Sequence, residues 1–436
     1  MSDRRGPRAV REVPEAFQSP HAAAAFSLIT FGLAFATPAI RSIIGWPGLI
    51  GALVVLVVLG IGILIARRDA IEWHGLLPIS ILIFIGWCGL SAFWTEYQWV
   101  TASSVLYQAA FAFLGITIVL TRDLIQIVRS VGTVLRFLLV VSFGVEILSG
   151  LILDVPFRFL GVDGALALGG PIQGIFGTRN MLGFVALIAI VTFVIEWRTR
   201  SITRGLFIFS AILGGAALLF SGSPVTWLVV TVLLFATLAL YGLRKAKPDV
   251  RLRLQWALLG LTVVGAVATY FARVRVINLL NVGSEFEYRY SLWIQMWQLI
   301  PVHPLEGWGW AGFWRTGIPP FANIDFALSQ GHSTGLNAFL DVYLQVGLVG
   351  LLAFVALIGL AFVRSWLLAS NRRVVTYTWP ALVLVVVIAT SAAESFALLD
   401  AGWLLLVVCA ANASQGQSWR RRLRSKEALV PQPPLE

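Results

Sequence analysis

Charge is scarce in this 436-residue chain. Only 12% of residues are Asp, Glu, Lys or Arg, while 58% are hydrophobic and mean hydropathy is +0.86. A soluble globular domain carries about a quarter charged residues, so an ordinary soluble protein is excluded. Cysteine is scarcer still. Cys88 and Cys409 both fall inside apolar runs, which excludes a disulfide or zinc framework. The four histidines (His21, His74, His303, His332) form no metal-ligand spacing, and none of the carboxylates forms an Asp-x-Asp nucleotide-sugar motif. A Walker loop is missing too, as are internal repeats and low-complexity tracts. We therefore expect no metal and no cofactor. The net charge of +11 does not point to nucleic acid, because its distribution has a membrane explanation.

What the chain has in abundance is apolar runs of about 20 residues, the length of helix that crosses hydrocarbon. The pattern predicts an all-α, polytopic integral membrane protein with about twelve spans. They lie near 22–40, 44–66, 75–94, 100–120, 128–153, 181–197, 206–220, 224–242, 255–272, 336–363, 376–392 and 395–412. Gly347 and Gly350 suggest a bend in the long tenth span. The run after residue 20 has no convincing small-residue cleavage site and reads as a first span, not a removed signal peptide. With the N-terminus inside, the cytoplasmic segments hold 24 Lys/Arg, the opposite face 7, and Arg136 lies within a span. This bias places both termini in the cytoplasm. The expected organisation is a basic N-tail (1–21), spans one to nine (22–272), a periplasmic loop (273–335), spans ten to twelve (336–412) and a basic C-tail (413–436).

The stretch Ala272 to Gly335 organises the rest. It is polar, rich in Trp and Pro, and holds His303 and His332. Conduction or transport alone does not require such a loop, whereas an enzyme working on a membrane-held substrate must shield its reacting groups above the headgroups. His332 is the strongest candidate. It precedes Ser333, Thr334 and Asn337 at the start of a span, and a histidine there can take a proton from a hydroxyl; Asp341 follows on the same helix. Arg179 and Asn180 end a Gly/Thr turn that leads into a span, and a helix N-terminus with an adjacent Arg suits a phosphate. The plain alternative is an arginine that reaches for lipid headgroups. Arg289 stands before an amphipathic segment (Leu292, Trp293, Met296, Trp297, Ile300) that fits a helix in the interface, with Glu285 and Glu287 as ion-pair partners. His303 reads as part of a rigid turn. Glu146, Glu394 and Asp400 lie in or beside spans. Such groups are functional candidates or partners for Arg136 or for one another.

Several motifs, in order, resemble the O-antigen ligase and polymerase superfamily. They are Gly-x-Phe-x-x-Arg-Asn (174–180), Ser-Gly-Ser-Pro (221–224), Tyr-Arg-Tyr-x-x-Trp (288–293) and His-Pro-Leu-x-Gly-x-Gly (303–309), followed by Gly-His-Ser (331–333), Asn-x-x-Leu-Asp (337–341) and Gly-Leu-Val-Gly (347–350). Pro224 departs from the pattern, standing where relatives often carry a basic residue. The resemblance covers roughly residues 170–410. It implies a fold similar to membrane glycosyltransferases of type C, with one large periplasmic loop, in the bacterial inner membrane. The implied activity is inverting, metal-independent glycosyl transfer from a glycan on undecaprenyl diphosphate to an acceptor sugar hydroxyl. Arg179 and Arg289 match the arginines that hold the diphosphate, and His332 the residue that activates the acceptor. Asn180, Ser223, His303, Asn337 and Asp341 would support them. Trp308, Trp310 and Trp314 suit stacking on sugar rings. The run 307–314 looks most like the exopolysaccharide-polymerase branch, in which the acceptor is another lipid-linked unit. In a ligase the acceptor is a lipid A core. Membrane lipids and polysaccharide chain-length or export proteins are the remaining expected partners. A lipid-linked sugar transporter or flippase is the competing class, but the mid-membrane charges and inverted repeats it calls for are not evident. A non-catalytic partner in an export complex is a further alternative.

Overall fold

The computed structural model describes residues 15–69, 79–279 and 283–416. The arginines and lysine of both tails and His74 lie outside the described residues. So do the side chains of Arg273, Arg275 and Glu285. The fold is helical throughout these segments and contains no strand among the described residues.

After a four-residue turn, α1 (Glu15–Gln18), the chain forms α2 (Pro20–Phe35), α3 (Thr37–Ala66), α4 (Ile79–Leu90), α5 (Gln98–Thr121) and α6 (Leu124–Ile147). Then come α7 (Arg179–Arg198), α8 (Arg204–Phe220), α9 (Pro224–Lys245) and α10 (Pro248–Leu279). The last group is α11 (Gly283–Leu299), α12 (Phe321–Leu328), α13 (Ala338–Asn371), α14 (Thr378–Ser391) and α15 (Asp400–Gly416). Six helices are long and apolar enough to cross a membrane: α3, α5, α6 with its continuation to Leu153, α7, α9 and α13. Four shorter apolar helical stretches, at Pro20–Phe35, Ile79–Phe93, Arg204–Phe220 and Val375–Ser391, accompany them. The protein is thus a multi-pass membrane protein, though length and apolarity alone do not reach the expected count of twelve.

Boundaries differ from the sequence expectation where glycine and proline act. The first two expected spans met near residue 42. In the structure α3 already starts at Thr37, with Pro38 in its first turn, and breaks at Gly45 (φ 70, ψ −176). The fifth ends in a π-helical turn, Leu148–Leu153. α10 continues beyond Phe271 to Leu279, into the segment expected to be loop.

Burial is arranged for lipid. The centre of the bundle is α7, α14 and α15, where Leu182 to Ala189, Trp379 to Val387 and Ala401 to Ala411 are buried. Outer helices expose large apolar side chains, such as Val54, Val55 and Val58 on α3 and Phe235 and Leu238 on α9. In water this would be an aggregation surface; against hydrocarbon it costs nothing. Arg136, inside the bundle, pairs with Glu196 of α7 and donates to Ser210 Oγ of α8 at 2.8 Å. Glu146, Glu394 and Asp400 are therefore not its partners. Asp400 accepts from the Tyr107 hydroxyl at 2.5 Å.

The bend in α13 is built by two chain segments together. Val346 and Gly347 leave helical geometry (Gly347 φ 66, ψ −170). The carbonyls of Leu344 and Gln345, released from the helix, accept from Trp308 N–H (3.1 Å) and Gly309 N–H (2.7 Å). In return, Leu348 and Val349 N–H donate to the carbonyls of Pro304 (3.0 Å) and Leu305 (3.3 Å). Buried backbone groups must find partners, so the break and the His303–Trp310 segment satisfy each other. A Cβ on Gly347 would stand 2.1 Å from Leu305 O, and one on Gly307 2.4 Å from Gly347 N.

The loop region has a small core of its own. Leu292, Met296 and Ile300 of the amphipathic segment pack with Trp314, Phe321, Ile324, Leu340 and Leu344. The stripe read as interfacial is therefore covered by the loop itself, while Trp297 stays exposed.

Candidate active site

Three helix starts and one helix end make the site. Thr178 caps α7, its Oγ1 accepting from Met181 N–H at 3.1 Å, and Gly177 takes the left-handed turn before it (φ 79). Arg179 and Asn180 are thereby fixed in the first turn of α7. Ser223 caps α9, its Oγ accepting from Thr226 N–H at 3.1 Å, with Pro224 at the first helical position. Asn337 caps α13 through Phe339 and Leu340 N–H (3.0 and 3.1 Å). Side-chain oxygens at these positions satisfy amides that a helix start leaves open.

Glu394, in the turn after α14, ties these starts together. Asn180 Nδ2 donates to its Oε1 at 2.5 Å, and Arg289 Nη2 donates to the same oxygen at 2.9 Å. Ser223 Oγ donates to Asn180 Oδ1 at 2.7 Å. Asn337 Nδ2 donates to Ala392 O, two residues before Glu394, at 3.0 Å. Arg289 thus reaches Glu394 across the site: the residue is 9% exposed and its guanidinium turns inward, while Glu287 faces out. Between these groups lies a cavity of about 390 Å³, lined by Thr178, Arg179, Asn180, Tyr288, Arg289, Leu336 and Glu394. The two arginines, 110 residues apart in sequence, share one wall-to-wall space.

His332 stands behind Tyr288, ring against ring at 5.5 Å between centroids and 21° between planes. α12 ends on Ser329 in the left-handed region (φ 53), which folds the chain back. Asp325, in the last turn of α12, then accepts from both His332 N–H and His332 Nδ1 through one oxygen, each at 2.9 Å. A carboxylate against Nδ1 places the ring proton there and leaves a lone pair on Nε2. That Nε2 is buried and has no hydrogen-bond partner. A buried acceptor is rarely left unsatisfied, and here it is the atom able to take a proton. Burial, followed in effect by the Asp325 and Glu394 charges, raises the Tyr288 phenol above its ordinary range despite Arg289 alongside. The phenol therefore stays a neutral donor.

Sequence reading brought Arg179, Asn180, Ser223, Arg289 and His332 to this region, and the structure assembles them. Asp341 does not serve His332. It is fully buried and accepts from Trp314 Nε1 (2.8 Å), Gln345 Nε2 (2.7 Å), Gly335 N–H (3.0 Å) and Ser395 Oγ (2.8 Å). With four donors on two oxygens it is a tether for the loop. His303 is not among the residues lining the cavity; it bonds Glu306 at 3.0 Å and packs edge-on to Trp308. That bond holds the Glu306 carboxyl below its ordinary range. Trp310 and Trp314 are core and not sugar platforms, the first fully buried against Phe84 and the second stacked on Phe321, while Trp308 is half-buried against the loop core and donates to Leu299 O at 3.2 Å. Sequence reading missed Asp325, and gave Glu394 no role in holding Arg289. Seven residues and a helix end separate Asp325 from His332, so no periodicity links them.

The site thus joins, within a helical membrane bundle, a cavity lined by two arginines and a nearby histidine held by a carboxylate. Residues 209–355 match the family model described as O-antigen ligase, which supports placing the chain in the O-antigen ligase and polymerase superfamily. The match includes Ser223, Arg289, Asp325, His332, Asn337 and Asp341, while Arg179 and Glu394 lie outside it. It supports a glycan-transferring enzyme in polysaccharide assembly. No curated protein matches the chain.

Proposed function

We propose that the protein is a glycosyltransferase of the periplasmic face of the bacterial inner membrane, moving a glycan from undecaprenyl diphosphate to an acceptor sugar hydroxyl. The observation that carries this reading is the unpartnered Nε2 of His332, oriented by Asp325, on a ring stacked against Tyr288, which lines the cavity with two arginines. Arg179 and Arg289 hold the diphosphate, and their charge stabilises it as it leaves. The acceptor O–H gives its proton to His332 Nε2. Its oxygen forms a bond to the anomeric carbon as the bond from that carbon to the phosphate oxygen breaks. Attack opposite the leaving diphosphate inverts the anomeric configuration. Asp325 keeps the Nδ1 proton in place and balances the imidazolium that forms. No step calls for a metal: the diphosphate is already a good leaving group. Twelve spans with both termini in the cytoplasm put this site outside, and the 24-to-7 Lys/Arg asymmetry supports that orientation.

The acceptor decides between two readings. The resemblance of 307–314 to the polymerase branch favours another lipid-linked repeat unit. The description of the matching family, O-antigen ligase, favours a lipid A core. Structural duty at Gly307, Gly309, Trp310 and Trp314 weakens the first argument, since the glycines build the α13 break, Trp314 the loop core and Trp310 the core of the bundle.

His332→Ala, expressed at wild-type level in a strain lacking the native gene, tests the proposal by gel analysis of extracted glycans. Loss of long polymer with accumulation of single lipid-linked repeats identifies a polymerase. Long polymer retained on undecaprenyl diphosphate and absent from lipid A identifies a ligase. A wild-type pattern overturns the assignment of His332.

A further inference from the structure

Arg179 and Asn180 line two cavities, not one. Behind them is a second space of about 370 Å³, bounded by Glu146, Asp163, Pro171, Gln173 and Thr178 among others. Its balance of charge differs from the first: beside the shared Arg179 it carries two carboxylates, from the end of α6 and from the following segment. Glu146 is 1% exposed. Its Oε1 accepts from the backbone N–H of Gly174 (2.9 Å) and Gln173 (3.3 Å), while its Oε2 has no hydrogen-bond partner. The fold uses one oxygen of this carboxylate and leaves the other without a donor, on a residue that lines the cavity.

A buried carboxylate oxygen without a donor is costly, and the surrounding groups say which ligand would supply one. The lining offers carboxylates, amides, a hydroxyl and a guanidinium (Glu146, Asp163, Gln173, Asn180, Thr178, Arg179), with no aromatic side chain among the described residues. Such a set accepts from and donates to the closely spaced hydroxyls of a sugar ring. The volume falls within the range of about 300–1,000 Å³ typical of small-molecule sites. Here two carboxylates stand against one arginine, where the first cavity sets two arginines against one carboxylate, so this space favours a neutral polar ligand over a second phosphate.

We propose that the Glu146–Asp163 cavity is a sugar subsite, holding a hydroxyl-rich ring of the glycan whose diphosphate occupies the Arg179–Arg289 cavity. This rests on the reading of that cavity as a diphosphate site. Arg179, shared by both spaces, sets the ring next to the phosphates, and Glu146 Oε2 accepts from a ring hydroxyl.

The test compares binding of two lipids to the purified protein in nanodiscs: bare undecaprenyl diphosphate, and undecaprenyl-diphosphate-linked glycan extracted from the source organism. Glu146→Gln keeps an oxygen for the Gly174 N–H but removes the charge. A hydrogen bond to a charged group contributes about 1.5–3 kcal/mol, so affinity for the glycan-bearing lipid should fall on the order of 10-fold or more. Affinity for the bare lipid should stay unchanged. Asp163→Asn, at an exposed loop position that does not threaten folding, should weaken glycan binding alone in the same sense. Unchanged glycan binding in both variants overturns the subsite, and so does an equal loss for both lipids, which marks a structural role. Failure of wild-type protein to bind either lipid overturns the diphosphate reading itself.

Discussion

At the scale of single residues, the proposed base His332 depends most on Asp325. It receives two donors from one residue on a single oxygen, so it fixes both the backbone and the ring. Asp325→Asn keeps the size but presents an amide able to donate to Nδ1, which would move the ring proton to Nε2 and block acceptance there. General-base assistance contributes about 10²–10⁴-fold. We expect turnover to fall by about 10²-fold or more with KM nearly unchanged, measured on lipid-linked glycan in detergent. A comparable rise in KM with intact turnover would instead mark Asp325 as a binding residue. His332 was legible from its position before a span and from motif order; Asp325 was not. A histidine and a carboxylate joined by a helix end and a left-handed turn leave no repeating signature, and only the fold brings them to 2.9 Å. Glu394 was visible as a charge beside a span, but its partner is 105 residues away on another helix.

At the scale of elements, the helices were legible because hydrocarbon demands long apolar runs whose backbone bonds stay within the segment. Each expected span lies on or overlaps a described helix, and the errors concentrate at Thr37, Gly45 and Leu279, where backbone geometry and not apolarity sets the boundary. The bend near Gly347 was legible too; its cause was not, because the partner strand of chain lies some forty residues upstream. Gly347 occupies a region of backbone space open essentially to glycine alone. Gly347→Ala therefore adds strain of about 1–3 kcal/mol and drives a methyl group into Leu305 O. The outcome is a lower unfolding temperature and poor yield, read by thermal unfolding in detergent, with no change confined to catalysis. A variant as stable as wild type would mean that the two segments can part without loss.

At the scale of the whole molecule, the proposed orientation puts the His332 loop outside and the α9–α10 turn inside. Two exposed positions report on it: Gln330 next to His332, and Lys247 between α9 and α10. Cys88 and Cys409 are fully buried and should stay silent. In spheroplasts, Gln330→Cys should react with a membrane-impermeant maleimide, and Lys247→Cys only after the membrane is opened. The reverse pattern would place the active site in the cytoplasm and end the periplasmic reading.

One consequence follows from the Glu394 carboxylate that sits on Arg289. An arriving phosphate does not meet a bare cation; it takes the place of an anion already seated. A singly charged phospholipid headgroup, abundant in the surrounding bilayer, would exchange one negative charge for another and gain little. A diphosphate brings more charge to the same arginines and wins the exchange. Adding vesicles rich in phosphatidylglycerol should therefore inhibit the enzyme far less than adding bare undecaprenyl diphosphate at equal concentration. On the proposed function, such a site would screen its own solvent, closed to the lipid it is dissolved in while open to the scarce one it serves.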